Sequence, residues 1–297
     1  MSLKVEKQFA SAGYPILDQQ IARIDSLRGL QLRSAQPEPT LLLLRQLVDS
    51  FPRHIVAVPD ASICSWWRGR LCKDDRGFEL TNQMLYPPVG VSIDRGRVNG
   101  PGERFLYASR GNGTCLSEIS VETGNYYQLA KFALRPGAKI NALVIGEIEY
   151  RHQSNGLSLL ADWGAKQEVK CLSDSSALSL EQKCSAIVVD AFIAEQFALK
   201  AHKAFDYKLT NWLVTALLES GEADAVMYPS VQHRGGLNIA VPSRVVESSL
   251  DMVDGEYGQI GRYVGYGMHI LNQTHRVNVI GEQLVFVEEE VIKGGTV

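Results

Sequence analysis

Four residues whose types can do chemistry stand in two places along the chain. Arg97, Tyr107 and Glu118 belong to one glycine-rich stretch, Gly96-Arg97-Val98-Asn99-Gly100-Pro101-Gly102 through Phe105-Leu106-Tyr107-Ala108 to Gly113-Thr114-Cys115-Leu116-Ser117-Glu118. Ser230 lies far downstream, in Tyr228-Pro229-Ser230, and Gly235-Gly236-Leu237-Asn238 follows it. An arginine offers a planar fork of donors that grips a phosphate through two bonds, which lysine does not reproduce. A carboxylate stabilises positive charge that develops in a transition state. A tyrosine stacks on a ring or hydrogen-bonds at its tip. Ser230 has no base beside it in sequence, so it reads as a positioning group and not a nucleophile. Each residue also has a plain structural alternative: a solvated turn arginine, a core strand tyrosine, a helix-surface glutamate, and a serine that caps a turn after Pro229.

Other chemistries lack their motifs. No G-x-x-x-x-G-K-[ST] is present, no G-x-G-x-x-G follows a strand and opens a helix, and no H-E-x-x-H or G-x-S-x-G occurs. The six histidines are scattered singly, so no metal site is expected. Asn112-Gly113-Thr114 fits a glycosylation sequon, which has no bearing on a cytoplasmic protein.

The elements that must position these residues come in three groups. At the start, Ile16, Leu17, Ile21, Ile24 and Leu27 recur at helical spacing, which predicts an amphipathic helix over residues 14–31. A proline-bearing break over Ser34 to Thr40 and a second helix over Leu41–Phe51 complete a helical arm, residues 1–55. The middle is rich in β-branched and aromatic runs, which predict strands over Ile63–Leu71, Arg104–Ala108, Tyr126–Leu134 and Ile140–Glu149. Thr114 reads as the N-cap of a short helix through Glu118. Helical spacing returns from Gln182 to Ser220, followed by strands at Ala225–Tyr228 and Leu237–Val241 and a strand pair around Gly281 over Arg276–Ile292. This order is a mixed α+β domain over residues 56–297, not a βαβ series.

With 45% hydrophobic and 21% charged residues, the chain has material for a substantial core. Thirty basic against 33 acidic residues leave a net charge of -3, which excludes nucleic acid or an anionic membrane as the main partner. Five cysteines, Cys64, Cys72, Cys115, Cys171 and Cys184, include no Cys-x-x-Cys pair, which argues against a disulfide framework. No signal-like or membrane-spanning apolar run is present, and a cytoplasmic location is expected.

The succession G-R-x-N-x-P-G, L-Y-A, T-C-L-x-E, Y-P-S and G-G-x-N resembles the RES domain over roughly residues 63–245. Trp67-Arg68-Gly69-Arg70 resembles the family's opening aromatic–arginine strand, and the position after Gly96-Arg97, usually aromatic in the family, is Val98. The resemblance implies an ADP-ribosyltransferase-like mixed, twisted β core with flanking helices. It implies catalytic roles for Arg97, Tyr107, Glu118 and Ser230, and dinucleotide contacts from Arg68, Arg70, Asn99, Gly102 and Asn238. Such proteins are typically bacterial toxins of toxin–antitoxin pairs that destroy NAD. The nicotinamide of NAD is cationic and leaves as a neutral ring, so no strong general acid is needed. The ribose passes through an oxocarbenium-like state, which Glu118 would stabilise while Arg97 clamps a phosphate. Water, inorganic phosphate or a protein side chain would each serve as acceptor, making the protein a glycohydrolase, a phosphorylase or an ADP-ribosyltransferase. The implied partners are NAD, phosphate, an antitoxin and a second copy of the chain. A domain that binds a nucleotide or protein without turnover is the alternative from another class.

Overall fold

The computed structural model describes residues 14–49, 53–58, 65–88, 90–91, 94–161, 178–199, 204–265 and 267–287. The described elements, in chain order, begin with helices α1 (Pro15–Arg28) and α2 (Pro37–Asp49). Strands β1 (Ile55–Ala57), β2 (Trp66–Leu71) and β3 (Phe105–Arg110) follow, then α3 (Asn112–Glu118), β4 (Tyr126–Leu134), β5 (Asn141–Val144) and α4 (Glu147–Gln153). The second half holds α5 (Leu180–Ala198), α6 (Lys208–Leu218), β6 (Ala225–Pro229), β7 (Leu237–Pro242), α7 (Ser243–Ser249), β8 (Leu250–Gly265), β9 (Met268–Ile280) and β10 (Gln283–Val287). All ten strands join one sheet in the order β1-β5-β6-β7-β3-β2-β4-β8-β9-β10. Only β5 and β6 run parallel; every other pair is antiparallel. This is a mixed α/β fold with a large mixed sheet and seven α-helices among the described residues.

Both faces of the sheet's first half are covered. Along β6, Val226 and Tyr228 point into the layer made by α1, α2, α5 and α6, while Ala225 and Met227 point into the opposite core. A strand buried on both faces reads as a continuous apolar run, which is why Ala225–Tyr228 is legible in sequence. The N-terminal arm belongs to the first of these layers. Ile24, Leu27, Leu44, Leu47 and Val48 bury against Val189, Phe192, Leu213 and Leu217, so its apolar stripes face inward. In the second half of the sheet, α3 lies against β2, β4, β8 and β9 through Cys115, Leu116, Tyr127, Leu129, Ile260 and Leu271.

Several boundaries differ from expectation. The second helix begins at Pro37, inside the expected break, because proline fits the first turn, where its missing N–H is not needed. Phe51 and Ile292 lie outside the described residues. The expected strand over Ile140–Glu149 is half strand and half helix: β5 ends at Val144, Gly146 turns left-handed at φ 81°, and α4 starts at Glu147. The buried Asp190 carboxylate accepts from the N–H groups of Gly146 and Glu149, which satisfies that helix start. The helical stretch from Gln182 to Ser220 is two helices, and α5 opens with a Ser179–Gln182 capping box. Gly111, not Thr114, is the N-cap of α3; Thr114 sits inside the first turn. No helix among the described residues is long and apolar enough to cross a membrane.

The largest omission from the sequence reading is β8. It runs for 16 residues and pairs with β4 over Leu250–Gln259 and with β9 over Asp254–Gly265. Its last residues extend past β4 and pair with β9 alone, so the β8–β9 hairpin overhangs the sheet.

Candidate active site

The site sits where the sheet comes apart. Strand β2 pairs with β4 over six residues and β3 pairs with β7 over five, yet β2 and β3 pair with each other only at Trp66–Arg110 and Trp67–Ser109. Beyond Trp67 the two strands diverge. The Arg68 guanidinium bridges the gap and donates from Nη1 to the Tyr107 carbonyl at 3.1 Å. A cavity of about 230 Å³ opens there, lined by Trp67, Arg68, Gly69, Tyr107, Ala108, Ser109, Cys115, Glu118, Ile119, Tyr228 and Asn238.

Glu118, the last residue of α3, lies on the wall of this cavity. Its Oε1 accepts from Ser230 Oγ at 2.6 Å and from Asn238 Nδ2 at 2.7 Å. Asn238 is itself oriented, because its Oδ1 accepts from Ser109 Oγ at 2.7 Å. Ser230 Oγ accepts from the backbone N–H groups of Gln232 and His233 at 3.2 and 2.9 Å, which leaves its own proton for Glu118. The carboxylate is thereby held by two donors at one oxygen. Neither donor is a base, so both serve to orient the carboxylate.

Arg68 is the cation of the cavity. Its Nε is buried and has no hydrogen-bond partner within the protein. Burial, with a smaller contribution from the Arg70 charge, lowers its pKa to about 10, so it remains a cation near neutral pH. Two other wall groups are held protonated. Burial pushes the Cys115 thiol up to about 12, and Tyr228, enclosed beside Tyr107 and Glu118, is raised well above its ordinary value. Cys115 is therefore not a thiolate nucleophile near neutral pH.

The expected site residues divide. Glu118, Tyr107, Arg68 and Asn238 line the cavity, and Ser230 joins through Glu118. Arg97 does not line it. Its Nη1 donates to the carbonyls of Phe197 and Leu199 at the end of α5, and its guanidinium lies 5.6 Å over the Tyr207 ring. The Tyr107 hydroxyl is fully engaged: it accepts from the N–H groups of Val98 and Asn99 and donates to Asn99 Oδ1, so only its ring is offered to the cavity. Burial pushes this hydroxyl up to about 12. Asn99 also donates to the carbonyls of Asp94 and Gly100, so it builds the 94–100 loop and does not itself line the cavity. Arg70 donates to the Leu85 carbonyl, and Gly102 lies in an exposed turn; neither lines the cavity. The turn's N–H at Gly100 is taken by Glu103, so it does not offer that donor to a phosphate. Ser109, Ile119 and the ring of Tyr228 are wall residues that sequence reasoning did not assign. Ser109 carried no signal in sequence; it stands directly opposite Asn238 in the β3–β7 register.

Among the described residues no group of three or more histidine, cysteine or acidic side chains is placed to hold a metal ion.

A mixed sheet parted at one seam, with a carboxylate and a guanidinium on the walls of one cavity, is the architecture of a small-molecule site. The chain belongs to the RES domain family: the RES domain model matches residues 76–257, more than half of its length. Strand β2, with Arg68, precedes the matched residues, and the tip of the β8–β9 hairpin follows them. No curated protein matches the chain, and no solved structure matches it.

Proposed function

We propose that the protein cleaves the nicotinamide–ribose bond of NAD, in the manner of a toxin-like NAD glycohydrolase or phosphorylase, on an ADP-ribosyltransferase-like core. The observation that carries this reading is the Glu118 carboxylate, oriented by Ser230 and Asn238 at the wall of the β2–β3 cleft that Arg68 also lines. Nicotinamide departs neutral, so the site requires no strong acid, and no cavity wall residue supplies one. The ribose left behind carries developing positive charge, which an anion fixed in advance stabilises without reorganising. The buried Arg68 guanidinium, with Nε unspent, suits a diphosphate oxygen. Arg68 therefore takes the clamp that the motif assigned to Arg97. The ring of Tyr107 offers a stacking face for the nicotinamide.

The cavity's volume of about 230 Å³ is small for a whole dinucleotide, since enclosed ligand sites run to roughly 300–1,000 Å³. The nicotinamide riboside end fits inside, and the adenosine end follows the open gap between the strands. The test is incubation of the purified chain with NAD, with water, inorganic phosphate or a protein extract as acceptor, while free nicotinamide is followed. Release that disappears in Glu118→Gln supports the reading and identifies the acceptor by its product. No release with any acceptor overturns it in favour of a binding module. An antitoxin partner and a cytoplasmic location belong to the same reading.

A further inference from the structure

Ser230 reaches Glu118 only if the 230–236 loop stays seated on α3, and one side chain does that seating. We infer that His233 is a positioning residue for the Glu118–Ser230 pair, and that the tip of the overhanging β8–β9 hairpin holds it there. The inference rests on the NAD-cleavage reading for its activity arm and on geometry alone for the rest.

His233 meets the site at three points. Its backbone N–H donates to Ser230 Oγ at 2.9 Å and so selects the rotamer that presents the hydroxyl proton to Glu118. Its Nδ1 shares a hydrogen bond of 2.8 Å with Thr114 Oγ1, one turn before Glu118 on α3. The third point is the far edge of its ring, which faces the hairpin tip. A Cβ placed on Gly267 would lie 2.6 Å from His233 Cδ2 and 2.7 Å from Nε2. The hairpin backbone is thus packed directly onto the imidazole, closer than any side-chain-bearing residue allows.

The same loop approaches α3 at a second place. A Cβ on Gly236 would lie 2.6 Å from Thr114 Cγ2, so the loop and the helix touch with no room for a side chain between them. The loop is closed on itself by Ser230 N–H to the Gly236 carbonyl and by Gly236 N–H to the His233 carbonyl. A displacement of His233 therefore moves Ser230. Behind Gly267, the buried His269 stacks on Tyr263 at 4.9 Å, which stiffens the hairpin tip that presses on the loop. Thr114, Ser230 and His233 lie within the family-matched residues, and the hairpin tip that packs on His233 lies beyond them.

The chemistry predicts a specific kinetic pattern. Ser230 orients a carboxylate that works mainly in the transition state, so loss of the brace lowers kcat and leaves KM within about twofold. Misplacing a catalytic group by a fraction of an ångström to an ångström costs roughly 10–100-fold in rate. The experiment measures nicotinamide release and amide hydrogen exchange by NMR in the full chain carrying His233→Ala, His233→Asn and Thr114→Val. His233→Ala and the near-isosteric Thr114→Val are expected to lower kcat by about 10-fold or more. His233→Asn, which keeps a hydrogen-bonding atom near the position of Nδ1, is expected to restore most of it. On a Ser230→Ala background, His233→Ala is expected to add nothing, because both act through the same hydroxyl. Additive losses would mean a general structural role and overturn the inference. The exchange arm needs no activity. The amides at 232 and 233 should lose about tenfold or more of their protection in His233→Ala and Thr114→Val. Unchanged protection in both variants overturns the brace even if the enzyme reading holds. Lost protection in a chain that releases no nicotinamide keeps the brace and removes the enzyme reading.

Discussion

Two seams of the same sheet behave in opposite ways. Between β4 and β8 the ladder runs unbroken from Tyr126–Gln259 to Leu134–Leu250 apart from one bulge, and the side chains on both strands pack. Between β2 and β3 the ladder stops after two residue pairs, and the strands part around the Arg68 side chain. A strand edge buried without partners is costly, so an opening inside a sheet persists only if polar groups are satisfied another way. Here Arg68 serves the Tyr107 carbonyl in place of a neighbouring strand. The closed seam contributes stability through burial, and the open seam gives up part of that burial where the cavity of the candidate site lies.

The comparison is sharpest where a mutation tells the two seams apart. Phe132 lies in β4 between Trp66 and Met252 and is 1% exposed. Phe132→Ala is expected to cost roughly 3–5 kcal/mol of unfolding free energy in urea titration, the largest stability effect expected here. A cost under about 1 kcal/mol would mean that the closed seam is not the stabilising one. In the open seam, Glu118→Gln should lower nicotinamide release by roughly 10²-fold while the NAD dissociation constant changes little. Its effect on unfolding should be far smaller than that of Phe132→Ala. A variant that turns over at the parent's rate would take Glu118 out of the chemistry.

Arg68→Gln should weaken NAD binding by about tenfold, the value of one charge-assisted contact, and Arg97→Gln by much less. Calorimetric titration of both variants decides which arginine faces the ligand; the reverse order would return the clamp to Arg97. The pH dependence follows from the same group. Because burial lowers the Arg68 pKa to about 10, the folded state releases this proton earlier than the unfolded chain does. The burial penalty on the charged form is present below about 10 and relaxes as pH rises through it. NAD affinity should stay level from about pH 7 to 9 and fall as Arg68 loses its proton near 10. The smallest effect is expected at the overhang: Val264 is exposed beyond the reach of β4, so Val264→Ala should change stability by no more than about 0.5 kcal/mol.

Much of the architecture is legible along the chain because burial leaves a periodic signature. The buried stripe Leu17, Ile24 and Leu27 has helical spacing, and the two-faced strand at Ala225–Tyr228 reads as an apolar run. Strand β8 has no such signature. Asp251, Asp254 and Glu256, with Gly255, Gly258 and Gly261, disfavour a strand locally, and only its flanking partners β4 and β9 make it one. The Ile140–Glu149 run fails for the opposite reason, because its apolar residues continue through a left-handed turn at Gly146 into α4.

For the site, the succession of motifs that resembles the RES domain named Glu118, Ser230, Asn238 and Arg68 as candidates, and these four meet around one cavity. What each of them faces was a matter of tertiary structure. Arg97 and Arg68 are equal as sequence symbols, yet one is spent on the carbonyls at the end of α5 and the other spans the parted strands. Tyr107 spends its hydroxyl on the 94–100 loop, and His233, an isolated histidine in sequence, becomes the contact among loop, helix and hairpin. The physical reason is that a side chain's capacity is local and its partners are not. Glu118 and Ser230 are 2.6 Å apart in space across 112 residues of chain, and only the sheet that brings β3, β6 and β7 side by side decides that distance.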